Sequence, residues 1–582
     1  MPKLLLPALL ALATPAAAAP TDDFKALTDQ YWAWVLKENP AFATTLGVRD
    51  YDTQIQDISL KAADRRAAEA AAFLKRLDAI PTNGLSPADQ TNKAILRRTL
   101  SEAIEANGFG QRMMLFTTYD GWHQSFAGLA DNLPMRTRAD YGSYLTRIAQ
   151  YPKLNDEALK ITQAAVDKGY VLPCVAIQGS EKGIVGVVAE DPAKSRFYAP
   201  FLKARPLDMG EAEWSAMQAR ARQIVTDVIN PAYAKHYAFY TDTYLKKCAK
   251  SASVSAQPDG AKYYAFRIRA ETTTDLTADQ IHRIGLDEVR RIRAEMETVA
   301  KKAGFASREA FIQELRTNPK YYAKTPEELM EKVARINKTI DGKMPTLFGK
   351  LPRLPYGIRE IPAEIAEGTT TAYYNQGSPQ SGIAGTYYVN TSKLDQRPLW
   401  EVPALSVHEA VPGHHHQISL QQELDMPEWR RHATFFTAYT EGWGLYSERL
   451  GIEMGLYDTP EKDMGRLSYE MWRACRLVVD TGIHAKGWTK EQAVAFMTDN
   501  SALSAANINA EVNRYITWPG QALGYKIGEL KIRELRARAE KELGPKFDLR
   551  RFHDAVLGQG AVPLDVLEAQ IDGWIATEKA SA

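Results

Sequence analysis

The sequence predicts a mainly α-helical protein, built from many helices in a two-lobed architecture with a small β-strand element. Residues 22–160 contain long segments rich in Ala, Leu, Arg and Glu, such as Leu60 to Leu77, and these residue types favour helices. The chain has 582 residues, of which 564 remain if the first 18 are a leader. Single hydrophobic cores stop growing at about 250–300 residues, so two or more lobes are expected.

Three sequence patterns mark where helices begin. A Thr followed three residues later by Gln or Glu can form reciprocal hydrogen bonds with the free backbone N–H groups of a helix N-terminus. In one of the three, Pro occupies the first helical position, where its missing N–H costs nothing. The patterns are Thr277-x-x-Gln280, Thr325-Pro326-x-Glu328 and Thr489-x-x-Gln492.

Residues 1–18 have the pattern of a secretory signal peptide. Lys3 provides a charged start, Leu4 to Ala13 a short apolar core, and Ala16 to Ala18 a small-residue cleavage site. The apolar run is too short for a membrane span, and no Cys follows it to carry a lipid. We therefore expect a periplasmic or secreted protein without a stable membrane anchor.

Composition excludes several classes of function. Lys plus Arg number 72 and Asp plus Glu 71, and a net charge of +1 gives no electrostatic reason to bind nucleic acid or an anionic membrane. The three cysteines are too few and too scattered for a cysteine zinc cluster. In an oxidising compartment Cys174 and Cys248 could pair, which would leave Cys475 buried on a helix.

The chain divides loosely into an N-terminal helical region, residues 19–250, and a region of residues 251–582 that carries the motifs described below. These regions can equally be interleaved lobes around one cleft. Residues 351–390 are rich in Pro, Gly, Thr and Tyr, and Thr386 to Thr391 is predicted to be a strand. This strand is either a surface that pairs with substrate backbone or a small structural hairpin.

The most informative motif contains four of the chain's 10 histidines. Zinc prefers imidazole and carboxylate ligands when thiolates are absent. On an unbroken helix His414 would point about 240° away from His408, so the two could not share one ion. Pro412 and Gly413 predict a helix break between them, which would re-aim His414 towards the ion. The motif is His408-Glu409-Ala410-Val411-Pro412-Gly413-His414-His415-His416.

Two glutamates complete a predicted one-zinc site. Glu409 directly follows the first His, where zinc hydrolases keep the general base. Glu441, in Thr440-Glu441-Gly442-Trp443, is the predicted third ligand beside His408 and His414. His415 is the alternative second ligand. In that case His414 would lie next to the ligands without binding the ion itself.

The predicted helix around Glu441 has two further features. Glu441 and Glu448 lie on a face different from its apolar stripe. Gly442 and Gly444 are poor helix formers, yet they stand close to the candidate ligand. Small residues there predict a close approach by another backbone or by substrate.

The motif His-Glu-Ala-x-Pro-Gly-His-His resembles the signature of a bacterial family known as domain of unknown function 885. That family is similar to helical zinc peptidases of the gluzincin type, such as angiotensin-converting enzyme and carboxypeptidase Taq. The resemblance covers most of the mature chain and implies a deep helical cleft above zinc. Further segments that carry it are YAFRIRAETTTDL (264–276), GTYYVNT (385–391), RLVVDTGIHAKGW (476–488) and RYITWPGQALGYKIG (514–528).

Three more residues are candidates for substrate contacts. Acyl transfer needs a donor for the developing oxyanion, and Tyr525 is the first candidate because related helical peptidases use a late Tyr in this way. His484 is a second candidate, as a donor or substrate-binding residue. Arg514 could hold a substrate carboxylate through two parallel hydrogen bonds.

The sequence thus predicts a zinc metallohydrolase, specifically a carboxypeptidase or dipeptidyl carboxypeptidase acting on short peptides. One alternative is a zinc-dependent amide or ester hydrolase with a non-peptide substrate. Another is a periplasmic zinc- or peptide-binding protein without turnover, against which the presence of Glu409 speaks. Motifs for a serine nucleophile elbow, a phosphate-binding loop or a dinucleotide site are absent from the sequence.

Overall fold

The computed structural model describes residues 20–580, so the signal peptide predicted over residues 1–18 lies outside the described residues. Within this range the protein is mainly α-helical, as predicted, with one small sheet. The helices are α1 Pro20–Glu38, α2 Pro40–Thr45, α3 Leu60–Ala79, α4 Pro87–Asn107, α5 Trp122–Ala127, α6 Arg138–Ile148, α7 Tyr151–Asp167, α8 Cys174–Ile177, α9 Glu181–Val185, α10 Glu211–Ile224, α11 Asn230–Phe239, α12 Gly260–Thr272, α13 Ala278–Lys302, α14 Arg308–Thr317, α15 Pro326–Asp341, α16 Ala363–Ala366, α17 Val402–Glu409, α18 His414–Glu423, α19 Glu428–Ala433, α20 Thr437–Glu453, α21 Pro460–Lys486, α22 Lys490–Asn500, α23 Ala505–Thr517, α24 Gly524–Leu543, α25 Leu549–Leu557 and α26 Leu564–Ala580.

The three predicted helix starts are confirmed. Thr277 and Thr489 form reciprocal capping boxes with Gln280 and Gln492 at the starts of α13 and α22. Thr325 accepts a hydrogen bond from the backbone N–H of Glu328 at the start of α15. These bonds satisfy backbone donors that would otherwise lack partners.

Two large apolar clusters form the interior. One joins residues between Phe116 and Ala252 to residues of α13, α17, α21 and α23. The other joins the N-terminal helices α1, α3 and α4 to α20, α24, α25 and α26. Each cluster combines side chains from both predicted regions, 19–250 and 251–582. Among the described helices, none is long and apolar enough to cross a membrane.

Two helix pairs carry several of the residues of interest. The 27-residue α21 packs along α13, and α20 packs along α24. The α20–α24 contact is very close, because a Cβ added to Gly442 would lie 2.6 Å from the Cα of Gly528. A Cβ on Gly528 would lie only 1.7 Å from the carbonyl oxygen of Ala438. Glycine at both positions lets the two backbones touch.

The sheet has three strands, β1 Tyr356–Glu360, β2 Ala372–Asn375 and β3 Gly385–Val389. The predicted strand Thr386 to Thr391 corresponds to β3, which begins one residue earlier and ends two residues earlier. It is the central strand, since β1 pairs with it in parallel and β2 in antiparallel orientation. The edge strand that contacts α17 is β2, which was not predicted from the sequence.

Cys174 and Cys248, which the sequence allows to pair, form a disulfide, with Cα atoms 5.0 Å apart. It closes a sequence separation of 74 residues that includes α8 to α11. Cys475 is a free, buried thiol on α21, also as predicted.

Candidate metal centre

The candidate metal-binding motif is a broken helix. Helix α17 ends at Glu409 and α18 begins at His414. The backbone N–H of Gly413 donates to the carbonyl of Val407 at 2.9 Å, and the indole N–H of Trp443 donates to the carbonyl of Pro412 at 2.8 Å. Because a Cβ on Gly413 would lie 1.9 Å from the carbonyl oxygen of His408, this tight reversal requires glycine.

This break brings three ligand atoms together. The imidazole rings of His408 and His414 have centroids 4.7 Å apart and are nearly perpendicular. Glu441, from the first turns of α20, places Oε2 at 3.5 Å from Nε2 of His408 and 3.2 Å from Nε2 of His414. Ligands of a tetrahedral zinc at about 2.0–2.1 Å are separated by about 3.3–3.4 Å, so these distances fit one ion. Among the described residues, these three form a cluster suited to a metal.

Electrostatics within the cluster favour positive charge between its carboxylates. Burial acts to lower the pKa of His408, but hydrogen bonds with Glu441 and Glu448 outweigh it and raise the pKa to about 9. Burial acts to raise the pKa of Glu441, yet the neighbouring His414 and His408 hold it well below its usual range. An ionised carboxylate buried between two imidazoles is a pre-formed place for a cation, which would displace the imidazole protons.

The structure separates His414 from His415. Nε2 of His415 hydrogen-bonds to the carbonyl of Leu354 at 2.9 Å, and Nδ1 lies 3.0 Å from the hydroxyl of Tyr374. Both ring nitrogens of His415 therefore have protein partners, and His414 is the histidine that faces His408 and Glu441. His416 is buried against the ring of Phe348.

Space for the His408 ring comes from Gly444 on α20. A Cβ at this position would lie 2.8 Å from Cε1 of His408 and 3.0 Å from its Nε2. The sequence predicts close approach at Gly442 and Gly444, and the structure identifies what approaches each of them. Gly442 contacts the backbone of α24, and Gly444 contacts the candidate metal ligand.

The candidate ligands line a cavity of about 200 Å³. Glu409, Tyr525 and Arg514, three of the predicted functional residues, line the same cavity. The Tyr525 ring is nearly parallel to the His408 ring, with centroids 6.3 Å apart. Burial and the nearby Glu441 raise the pKa of Tyr525, so its hydroxyl keeps the proton that an oxyanion donor needs.

His484 does not line this cavity. Its Nδ1 accepts a hydrogen bond from the backbone N–H of Val254 at 3.1 Å, and its Nε2 lies 2.9 Å from the carbonyl of Tyr515. Burial lowers the pKa of His484 to about 4. A neutral imidazole whose two nitrogens both bond to backbone joins two segments of the fold, and this placement does not fit the predicted contact with substrate.

A second, larger cavity adjoins the first. It has a volume of about 840 Å³ and shares Tyr119, Tyr373 and Tyr374 with the smaller one. Residues 370–374, which include most of β2, also line the cavity that contains the candidate ligands. The edge strand thus lies where the outer space meets the inner one, a place where substrate backbone could pair with it.

The match to a known family covers most of the chain, as does the resemblance seen in the sequence. Residues 40–571 match the profile of a family described as "Bacterial protein of unknown function (DUF885)". The chain belongs to the DUF885 family. The matched range includes every candidate metal ligand and cavity residue described above. No curated protein sequence matches this DUF885 chain significantly.

Solved structures have the same fold as this DUF885 chain. The crystal structure of a "putative lipoprotein" from Colwellia psychrerythraea has a TM-score of 0.89 at 28% identity, and the match covers 96% of this chain and 100% of the other. The structure of a "putative lipoprotein of unknown function" from Shewanella oneidensis has a TM-score of 0.66 at 20% identity, covering 94% and 99%. The second similarity shows the fold alone.

Several residues of this DUF885 site were not identified from the sequence. The cavity is also lined by Trp472, Arg473, Arg476 and Glu511. Three of them lie on α21, within a long helix whose polar residues gave no sign that they face an interior space. Glu448 was placed on the same face as Glu441, seven residues away, and that spacing was a usable signal because two helical turns bring side chains back into line.

Glu448 holds one candidate ligand, His408, in place. Its Oε1 lies 2.8 Å from Nδ1 of His408, and Arg473 contacts the same oxygen at 3.1 Å. A carboxylate that accepts the N–H of a metal-bound imidazole fixes the ring orientation and raises its basicity.

We expect Glu448→Gln to weaken zinc affinity by about 10- to 100-fold without unfolding the protein. Competition with a chelator, together with the thermal unfolding curve, measures both effects; unchanged affinity would contradict this role.

Proposed function

We propose that this DUF885 protein is a zinc-dependent hydrolase that cleaves peptides, of the carboxypeptidase or dipeptidyl carboxypeptidase type. The observation that carries the proposal is the convergence of His408, His414 and Glu441 in a cavity that Glu409 and Tyr525 also line. A zinc store needs the three ligands but has no use for a general base and an oxyanion donor beside them.

The chain's own residues account for the proton transfers of amide hydrolysis. A zinc ion held by the three ligands would polarise the scissile carbonyl and make water acidic enough to lose a proton near neutral pH. Glu409 accepts that proton and later delivers it to the leaving amine. Tyr525 donates its hydroxyl hydrogen to the oxygen on which negative charge develops.

The proposal is tested by metal analysis combined with a peptide digest. Protein purified without added metal is expected to contain about one zinc per chain, to lose activity with a chelator and to regain it with zinc. A mixture of short peptides, read by mass spectrometry, identifies the bonds that are cut. If zinc-loaded protein cleaves esters or non-peptide amides but no peptide, the alternative hydrolase function replaces this one. If it cleaves none of these, the remaining alternative is a zinc- or peptide-binding protein without turnover.

Tyr525→Phe tests the oxyanion donor. Loss of one preorganised donor is expected to lower kcat by about 100- to 1,000-fold, with a much smaller change in KM, because the contact strengthens in the transition state. Steady-state kinetics with one peptide substrate separates the two parameters. Loss confined to KM would instead assign Tyr525 to substrate binding.

We infer that the protein works outside the cytoplasm. The pattern of residues 1–18, the Cys174–Cys248 disulfide and the description of the similar Colwellia psychrerythraea structure as a lipoprotein support this location. The expected partner is accordingly a peptide or other small molecule.

A further inference from the structure

One wall of the inner cavity carries three arginines but few carboxylates to pair with them. Arg473 is paired with Glu448, at 3.1 Å. Arg476 and Arg514 both donate to the same oxygen, Oε2 of Glu511, at 2.8 and 2.9 Å. Two guanidinium groups therefore share a single carboxylate at this wall.

Both of these arginines retain buried donors without an acceptor. Nη1 of Arg476 and Nε of Arg514 are buried and have no hydrogen-bond partner, although the two residues are only 3% and 7% exposed. A buried charged donor without an acceptor costs free energy. Because both arginines line the cavity, a ligand with anionic oxygens could supply the missing acceptors.

The surroundings of Arg476 hold its guanidinium in a fixed orientation. Its Cζ lies 4.5 Å from the ring centroid of Trp472 and 4.1 Å from that of Tyr525, and its Nε donates to the hydroxyl of Tyr515 at 2.9 Å. A charged group that is already immobilised loses little entropy when it binds an anion. Arg476 is thus suited to recognise a planar carboxylate beside the oxyanion donor.

Charge balance points to one negative charge on the ligand. The cavity is lined by three glutamates and three arginines, Glu409, Glu441, Glu511, Arg473, Arg476 and Arg514. A divalent ion at the candidate ligand cluster would add two positive charges. The negative charge of Glu448, which contacts Arg473, offsets one of them. A site left with one positive charge in a water-poor cavity favours a singly charged anion.

The size of the inner cavity limits how much of a substrate lies beside these arginines. Its volume of about 200 Å³ is below the ~300–1,000 Å³ of pockets that enclose drug-sized ligands. Trp472, Trp518 and Leu405 give part of its lining an apolar surface. Such a space suits a single amino-acid residue, whereas the adjoining 840 Å³ cavity has room for the rest of a short peptide.

We propose that Arg476 and Arg514 together bind the C-terminal carboxylate of a peptide and that only its last residue occupies the inner cavity. The protein is then a carboxypeptidase that releases single residues rather than dipeptides, an inference that rests on the proposed function. Each cycle breaks the last amide C–N bond, joins the oxygen of one water to the acyl carbon and transfers a proton to the leaving amine.

Binding to an inactive variant tests the carboxylate site without turnover. Zinc-loaded Glu409→Gln protein is titrated by calorimetry with one N-acetylated tetrapeptide, as the free acid and as the C-terminal amide. The free acid is expected to bind about 10- to 100-fold more tightly. Adding Arg476→Gln or Arg514→Gln should each reduce this acid-to-amide ratio by about tenfold or more, whereas Arg290→Gln, an equal charge change at a 71% exposed side chain on α13, should preserve it.

The ratio distinguishes recognition from structural damage, since a misfolded cavity would weaken both peptides alike. Equal affinity for acid and amide in the parent variant overturns the carboxylate site, and so does a ratio that survives both arginine substitutions. A preference that depends on Arg514 alone overturns the role of Arg476.

A digest with active protein tests the size of the released fragment. Mass spectrometry of the same peptide over time should show loss of one residue per step. Release of dipeptides, or equal cleavage of the amide, overturns the inference while the proposed hydrolase function stands. A protein that prefers the free acid in binding but cleaves no substrate would retain the carboxylate site and lose the proposed function.

Discussion

Glu409→Gln is expected to leave zinc bound and to reduce kcat by about 100-fold or more, the usual contribution of a general base. Glu409 ends α17 directly after the candidate ligand His408, and its side chain lines the same cavity without belonging to the candidate ligand cluster. Gln has the same shape but cannot accept the proton from water. Zinc content by mass spectrometry and steady-state peptide hydrolysis measure the two outcomes on one preparation.

A matched control is Glu491→Gln, the same chemical change at an exposed position of α22. It should retain both zinc and activity. A zinc-loaded Glu409→Gln protein with unchanged kcat would remove Glu409 from the mechanism, and loss of zinc in that variant would mean that Glu409 is part of the metal site.

The second large effect is expected from His414→Ala, compared with His415→Ala. His414 supplies one of three predicted ligands, so its loss should weaken zinc binding by more than the ~10–100-fold expected for a residue that only orients a ligand. Hydrolysis should fall to the background rate. His415 bonds to Leu354 and Tyr374 instead, and its replacement should keep about one zinc per chain. Zinc per chain after dialysis against a weak chelator measures the difference.

The two neighbouring histidines control for each other, because both are buried and both begin α18. His415→Ala should lower the unfolding temperature, since it removes hydrogen bonds between α18 and the sheet region. If His415→Ala loses zinc and His414→Ala keeps it, His415 rather than His414 is the ligand. The helix break would then not serve to direct His414 towards the ion.

The helix break could be predicted because its cause is local. Pro412 and Gly413 stand between His408 and His414, and their backbone restrictions act on the nearest residues only. The capping boxes at Thr277 and Thr489 were predictable for the same reason. Glu441 could be predicted as a candidate because a zinc site needs a third protein ligand. The helix that follows the histidine motif carries Glu441 on a face different from its apolar stripe.

The arginine wall could not be predicted because its cause is tertiary. Arg473 and Arg476 lie on α21, where polar residues at helical spacing normally indicate a solvent-facing surface. Only the packing of α21 between the two apolar clusters turns this face inward. His484, on the same helix, illustrates the opposite case, since its nitrogens are occupied by backbone groups of Val254 and Tyr515 that are distant in sequence.

The sheet shows a similar limit. The segment that forms β3 has enough strand-forming residues to be predicted as a strand, but its neighbours are set by pairing that the sequence does not reveal. The short β2 gave a weaker signal, yet it is the strand whose residues lie at the cavity. Edge and centre of a sheet are distinguished by topology rather than by local pattern.

The contact of Gly442 with Gly528 limits which side chains the protein tolerates at these two positions. Glu441 adjoins the first glycine, and Tyr525 lies three residues before the second, so one backbone contact sets the spacing between a candidate metal ligand and the proposed oxyanion donor. A methyl group on either glycine would force α20 and α24 apart. This would displace the candidate ligand and the proposed donor relative to each other. Substitutions in the walls of the two cavities would leave this contact intact, whereas a side chain at either glycine would disturb the candidate ligand and the proposed donor at once.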